Sequence, residues 1–237
     1  MNDYYEGQFS LEKKRMRIAF VPTIVFVCLL WLIFILDSSL NLQLYQYGVY
    51  PLSLKGLPGV FLSPFIHHSA KHLFSNTIPL LVLMWCLYYF YSEIAFKTFV
   101  FLWILSGLLT WIIGRESWHI GASGIIYSLS FFLFFSGLFR RHIPLIAISL
   151  VVAFLYGSTI WNMLPWSMFI DPSVSWEGHL SGAISGFVVA LIYRKHGPQK
   201  PVKEWHDEDY DFEEAEEEEE EEEDIEDIEV VDDLQEH

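Results

Sequence analysis

Six long apolar stretches, at residues 18–36, 73–91, 96–113, 123–139, 143–160 and 178–193, constrain this chain more than any other feature. A helix needs about 20 mostly apolar residues to cross the hydrocarbon core of a bilayer. No water is available there for backbone N–H and C=O groups, so only helices and closed barrels span it. The runs are continuous rather than alternating, which selects helices. The expected fold is therefore an all-α membrane protein, a six-transmembrane-helix bundle over residues 18–196, preceded by a basic N-terminal segment, 1–17. Lys13, Lys14, Arg15 and Arg17 precede a first apolar run longer than the roughly 7–15 residues of a signal-peptide core, so it is expected to stay as a span.

The net charge of −16 hides two different materials. From Glu204 onward there are 22 acidic residues and no Lys or Arg, which leaves 14 basic and 8 acidic residues in the body. Like charge at that density cannot bury a core, so residues 197–237 are expected to form a disordered acidic tail. The tail reads either as a solvated segment without a specific partner or as a docking segment for a basic cytoplasmic partner. The two cysteines, Cys28 and Cys86, lie inside apolar runs and supply neither a disulfide framework nor zinc spacing.

Basic residues set the expected orientation, because cytoplasmic loops carry the excess of Lys and Arg. With the N-terminus inside, eleven basic residues fall in cytoplasmic segments: Lys13, Lys14, Arg15, Arg17, Lys97, Arg140, Arg141, Arg194, Lys195, Lys200 and Lys203. Only Lys55, Lys71 and Arg115 fall outside. An even number of spans then puts the tail in the cytoplasm too, as in a multi-pass protein of a bacterial inner membrane. The segment 37–70 between the first two spans mixes Tyr45, Tyr47, Tyr50, Phe61 and Phe65 with Pro51, Pro58 and Pro64. It is expected to be a structured outer loop, lying in the membrane interface or standing as an ordinary ordered loop.

Polar side chains inside spans are costly and point to function. Three clusters share one predicted side: His67, His68, His72 and Asn76 at the start of the second span, Gly121-Ala122-Ser123-Gly124 at the start of the fourth, and His179 at the start of the sixth. Together they suit acyl transfer. A serine hydroxyl needs a base to take its proton, and neutral histidine is the usual one, so Ser123 is the candidate nucleophile and His179 its base. Activity should then fall on acidification. Backbone N–H groups around Ala122 and Ser123, at a helix N-terminus, can hold an oxyanion, with His72 and Asn76, spaced i and i+4 on one face, as side-chain donors. The small residues Gly121, Gly124, Gly182 and Gly186 fit close helix packing. No HExxH occurs and inward carboxylates are few, so no metal is expected at the histidines and no cofactor is implied.

These residues resemble the rhomboid family of intramembrane serine proteases over about residues 60–195. Phe65-Ile66-His67-His68-Ser69-Ala70-Lys71-His72-Leu73-Phe74-Ser75-Asn76 is similar to the family's second-helix motif, and Gly121-Ala122-Ser123-Gly124 to its nucleophile motif. Tyr127 matches the aromatic residue that stacks on the catalytic histidine, and His179-Leu180-Ser181-Gly182-Ala183-Ile184-Ser185-Gly186 matches the sixth-helix His-x-x-Gly-x-x-x-Gly. The resemblance implies a rhomboid-like bundle, a Ser–His dyad without a third acid, and an outward-facing aqueous cavity. It implies as partners the lipid bilayer and other proteins' transmembrane segments as substrates; nucleic acid is not expected. Gly124 is expected to face both Gly182 and Gly186. The chain departs from the family in lacking the Trp-Arg pair of the first outer loop. Two other readings stand beside the protease: a catalytically inactive rhomboid-like protein that binds membrane clients, and a small transporter, for which no internal repeat is visible.

Overall fold

The computed structural model describes residues 2–166 and 174–199 of the 237-residue chain. The acidic tail from residue 200 onward lies outside the described residues. Among the described residues seven α-helices follow in order: α1 Asn2–Leu40, α2 Gly59–Leu62, α3 Ala70–Phe90, α4 Ala95–Ile113, α5 Ser123–Arg140, α6 Ile143–Tyr156 and α7 Trp176–Ile192. Four of them are long and apolar enough to cross a membrane, with spans at Phe9–Leu40, Ala70–Phe90, Ala95–Ile113 and Ser123–Arg140. The apolar helices at Ile143–Leu155 and Trp176–Ile192 are shorter. At 1.5 Å per residue α7 rises only about 25 Å, a few ångströms less than a typical hydrocarbon core.

The helices begin and end where local chemistry dictates. Ser69 caps α3 by accepting from the His72 backbone N–H at 3.2 Å, and Ser175 caps α7 by accepting from Gly178 N–H at 3.2 Å. These satisfy donors that every helix start leaves unpaired. Helix α1 starts at Asn2, well before the apolar run expected from residue 18. Helix-forming Glu, Lys and Arg carry it onward, and Glu12 accepts from both Arg15 at 2.9 Å and the Tyr89 hydroxyl at 2.8 Å. At the other extreme, α6 ends at Tyr156, short of residue 160, because the chain tightens into a 3₁₀ segment, Gly157–Met163.

Helix α5 is the centre of the bundle. In its apolar window 61% of residues are buried, against 28% for α1 and 33% for α4. It packs most extensively on α7 and also meets α6, α3 and α4, while α1 lies against α3. Leu73, Leu80, Leu83 and Leu87 of α3, Leu102 of α4, and Leu129, Phe132 and Leu133 of α5 are fully enclosed. Serines on the buried faces return their hydroxyls to their own helix: Ser128 to Gly124 O, Ser181 to Glu177 O and Ser185 to Ser181 O, at 2.7–2.9 Å. That explains how the polar-diluted sixth stretch sits in a core without unpaired hydroxyls.

The segment 41–69 is ordered by short turns, including 3₁₀ segments at Leu44–Tyr47, Leu54–Gly56 and Ser63–Phe65. It is tied to the chain between α4 and α5 by paired backbone bonds between Val49 and His119, at 2.9 and 2.8 Å. The Trp111 indole donates to Ser53 O at 2.9 Å. Tyr47, Leu52, Leu54 and Phe61 remain exposed.

Arg140, counted among the basic residues of the cytoplasmic segments, is the last residue of α5 rather than a residue of the connection after it. It is buried, donates to Ser136, and makes 2.7 Å bonds to the carbonyls of Tyr193 and His196 while lying over the Tyr91 ring. Carbonyls at the end of a helix are the natural acceptors for a cation, so Arg140 ties the ends of α3, α5 and α7 together.

Candidate active site

The end of the bundle opposite Arg140 is organised by the chain between α4 and α5. After Gly114, His119 pairs with Val49, and Gly121 N–H donates to Ser63 O at 2.8 Å. Gly121 has φ +102°, and a Cβ placed on it would lie 2.8–2.9 Å from the His72 ring. Only glycine fits this bend. Gly121 is thus a close-approach residue for the α3 histidine rather than a helix-packing one. Ala122 precedes the helix, and Ser123 is its first residue, where backbone N–H groups have no intrahelical acceptor.

On α3, Asn76 is buried and its amide donates to His67 Nε2 at 3.0 Å. The Ala122 N–H approaches the same nitrogen at 3.4 Å. Two donors make Nε2 the acceptor, which requires an uncharged ring. Burial chiefly, with His72 beside it, pushes His67 down to about 3, in agreement. The His67 and His72 rings lie 5.1 Å apart, while His68 is exposed.

On α7, His179 stacks on Tyr127 with ring centroids 4.3 Å apart and planes 15° from parallel. Tyr127 lies one turn beyond Ser123 on α5. His179 Nδ1 sits 3.0 Å from the carbonyl oxygen of Asn162. A carbonyl only accepts, so Nδ1 carries the proton and the Nε2 lone pair is left to act as a base. The neighbours of Ser123 and His179 also meet: a Cβ on Gly124 would lie 3.6 Å from Gly178 O. Ser123 and Gly124 border a small cavity shared with Ser106, Thr110, His119 and Gly178.

Glycines bring α5 and α7 this close. A Cβ on Gly182 would run into the Gly124 carbonyl and come within 2.9 Å of Tyr127 Cβ. Gly186 does not face Gly124 as expected. It lies one turn further along, where a Cβ would meet Phe131 Cβ at 2.7 Å and Phe132 N at 2.8 Å. Replacing Gly182 by alanine must push the two helices apart under the Tyr127–His179 stack. A loss of about 1–3 kcal/mol is expected, read as a lower thermal midpoint in detergent. Gly157→Ala, where a Cβ meets nothing within 4 Å, should leave the midpoint in place. Equal midpoints for the two variants would refute the tight-contact account.

Sequence reasoning missed four groups around these residues: the Asn162 carbonyl, His119, Ser175, and the pair formed by Arg115 and the buried Glu177, 3.7 Å apart. A main-chain carbonyl carries no residue-type signal at all. Ser175 had one, as a cap-type residue four positions before His179.

Comparison with known proteins agrees with this architecture. A family model for the Rhomboid domain matches residues 56–196. An uncharacterized protein of Mycobacterium tuberculosis is 38% identical over 190 residues, covering 77% of this chain and 78% of the relative. An uncharacterized protein of Mycobacterium leprae is 34% identical over 191 residues, covering 76% and 74%. The family match over more than half of the chain, together with the apolar helices, shows that this is an integral membrane protein belonging to the rhomboid family.

Proposed function

We propose that the chain is an intramembrane serine endopeptidase that cleaves transmembrane segments of other membrane proteins, with Ser123 and His179 as a dyad. The observation that carries this reading is the state of His179: its ring is held flat on Tyr127 while its Nδ1 proton goes to Asn162 O. That arrangement supplies orientation and tautomer, the two services a third acid performs in a triad. His179 Nε2 takes the Ser123 proton as Oγ attacks the scissile carbonyl. Backbone N–H groups at the start of α5, with His72 and Asn76, stabilise the oxyanion. The imidazolium then protonates the leaving amine, and water hydrolyses the acyl-enzyme by the same steps.

In this reading all six apolar helices span, with both termini cytoplasmic and Ser123 toward the outer side. The eleven-to-three distribution of basic residues supports that topology. The ordered segment 41–69 would be an outer loop, its exposed Tyr47, Leu54 and Phe61 suited to an interface.

A fluorophosphonate probe applied to the detergent-solubilised protein tests the proposal. Labelling at Ser123 that requires His179 is expected. Absence of labelling, with the protein folded, would favour the inactive client-binding reading.

A histidine base also fixes the direction of the pH response. Protonation removes the lone pair, so kcat/KM should fall about tenfold per pH unit below the pKa of His179 in the free enzyme. A kcat/KM that stays flat down to about pH 3, with the protein still folded, would exclude His179 as the base.

A further inference from the structure

We infer that His119 is a positioning residue, which through Ser175 locks the first turn of the His179-bearing helix to the chain that leads into Ser123. The inference rests on the dyad proposed above and concerns how its two halves are held in register.

Three observations carry it. First, His119 is buried and bonded on every side. Its backbone N–H and C=O both pair with Val49, and its ring nitrogens meet Arg115 O at 3.0 Å through Nε2 and Ser175 Oγ at 2.6 Å through Nδ1. Second, only one proton arrangement satisfies a neutral ring here. Arg115 O can only accept, so Nε2 bears the proton and Nδ1 accepts from the Ser175 hydroxyl. That leaves the Ser175 oxygen free to accept the Gly178 N–H, which caps α7 one residue before His179. Burial, the largest influence on His119, lowers its pKa and keeps the ring neutral. Third, the same chain grips α7 a second time. Arg115 donates to Val174 O at 3.0 Å, and its Nε lies 3.7 Å from the carboxylate of Glu177, a residue only 3% exposed.

The geometry therefore gives Ser175 two duties, as N-cap and as donor to His119. Ser123 lies four residues beyond His119 and His179 four residues beyond Ser175, so this bond crosses between the chains that carry the two reacting groups. The glycine contacts set how closely α5 and α7 pack, and this bond adds a polar tie at the end where the reacting groups lie; misplacement by about 1 Å can cost 10²-fold in rate.

Isosteric amides separate the two ring contacts. In His119→Asn the Oδ1 takes the place of Nδ1 and can still accept from Ser175. In His119→Gln the Nε2 amide can still donate to Arg115 O, but the acceptor facing Ser175 is gone. Amide hydrogen exchange across residues 175–180 of the full chain in detergent should rise about fivefold to tenfold in Ser175→Ala, the size expected for a lost N-cap, and by a smaller but measurable factor in His119→Gln, which leaves the cap without the bond that orients it. His119→Asn and Ser175→Thr should recover most of that protection. Turnover of a model substrate should follow the same order, with kcat falling about tenfold to 10²-fold and KM nearly constant. Equal exchange in His119→Asn and His119→Gln would overturn the inference, as would a loss expressed in KM alone. The exchange measurement needs no catalysis. It therefore decides the positioning role even if Ser123 takes no probe and the protease reading fails.

Discussion

Ser123→Ala is expected to reduce cleavage of a membrane-anchored model substrate by about 10⁴-fold or more, and His179→Ala by a similar factor. The two residues act in one proton transfer, so removing both should cost no more than removing either. That non-additivity distinguishes a dyad from two independent contributors. Neither change should prevent folding. Ser123 is only partly buried at the first position of α5, and the α5–α7 contact rests on Gly124, Gly182 and Gly186 rather than on the imidazole. Purified variants should therefore keep the wild-type thermal midpoint to within a few degrees, while the fluorophosphonate signal disappears from Ser123→Ala. A double variant whose loss equals the product of the single losses would break the dyad. Cleavage by either single variant within about tenfold of wild type would do the same.

The parts of the fold legible in advance were those governed by hydropathy alone. The third and fourth apolar stretches correspond to α4 and α5 within a residue of their expected bounds. What hydropathy could not show lies where polar contacts decide the structure. Nothing apolar marks residues 2–17 as helix, yet the bonds of Glu12 to Arg15 and Tyr89 hold the extension against the end of α3. The sequence shows the type and place of Arg140 but not the Tyr193 and His196 carbonyls that receive it.

The site divides in the same way. Gly-x-Ser-Gly and the sixth-helix histidine stood out by side-chain type and place in their apolar stretches, whereas the Tyr127–His179 stack was implied by the family resemblance and is present. Gly186 departs from the expected register because four residues rise about 6 Å along a helix, which here carries it past Gly124 to Ser128 and Phe132. The His119–Ser175 bond was invisible because it depends on a nine-residue connection pinned to Val49 and Ser63, a tertiary arrangement that no local pattern encodes.

Asn76→Ala is expected to lower kcat by about 10²–10³-fold with little change in KM, the size of a lost oxyanion donor. The location supports the role: a Cβ on Gly121 would lie 3.7 Å from Asn76 Nδ2, so the amide borders the bend that delivers Ser123. Its NH2 group has two hydrogens, and His67 receives one. Substitution removes both, so the variant must also lose a buried hydrogen bond, at a cost of about 1–3 kcal/mol. Stability loss alone could imitate a catalytic defect. His67→Ala supplies the control, because it breaks the same bond while leaving Asn76 in place. Both variants should show lower thermal midpoints, but His67→Ala should keep kcat within about tenfold of wild type. If the two fall equally in kcat, Asn76 serves only to hold His67, and the oxyanion is left to the α5 backbone and His72. If Asn76→Ala alone collapses in kcat, the amide acts on the oxyanion itself.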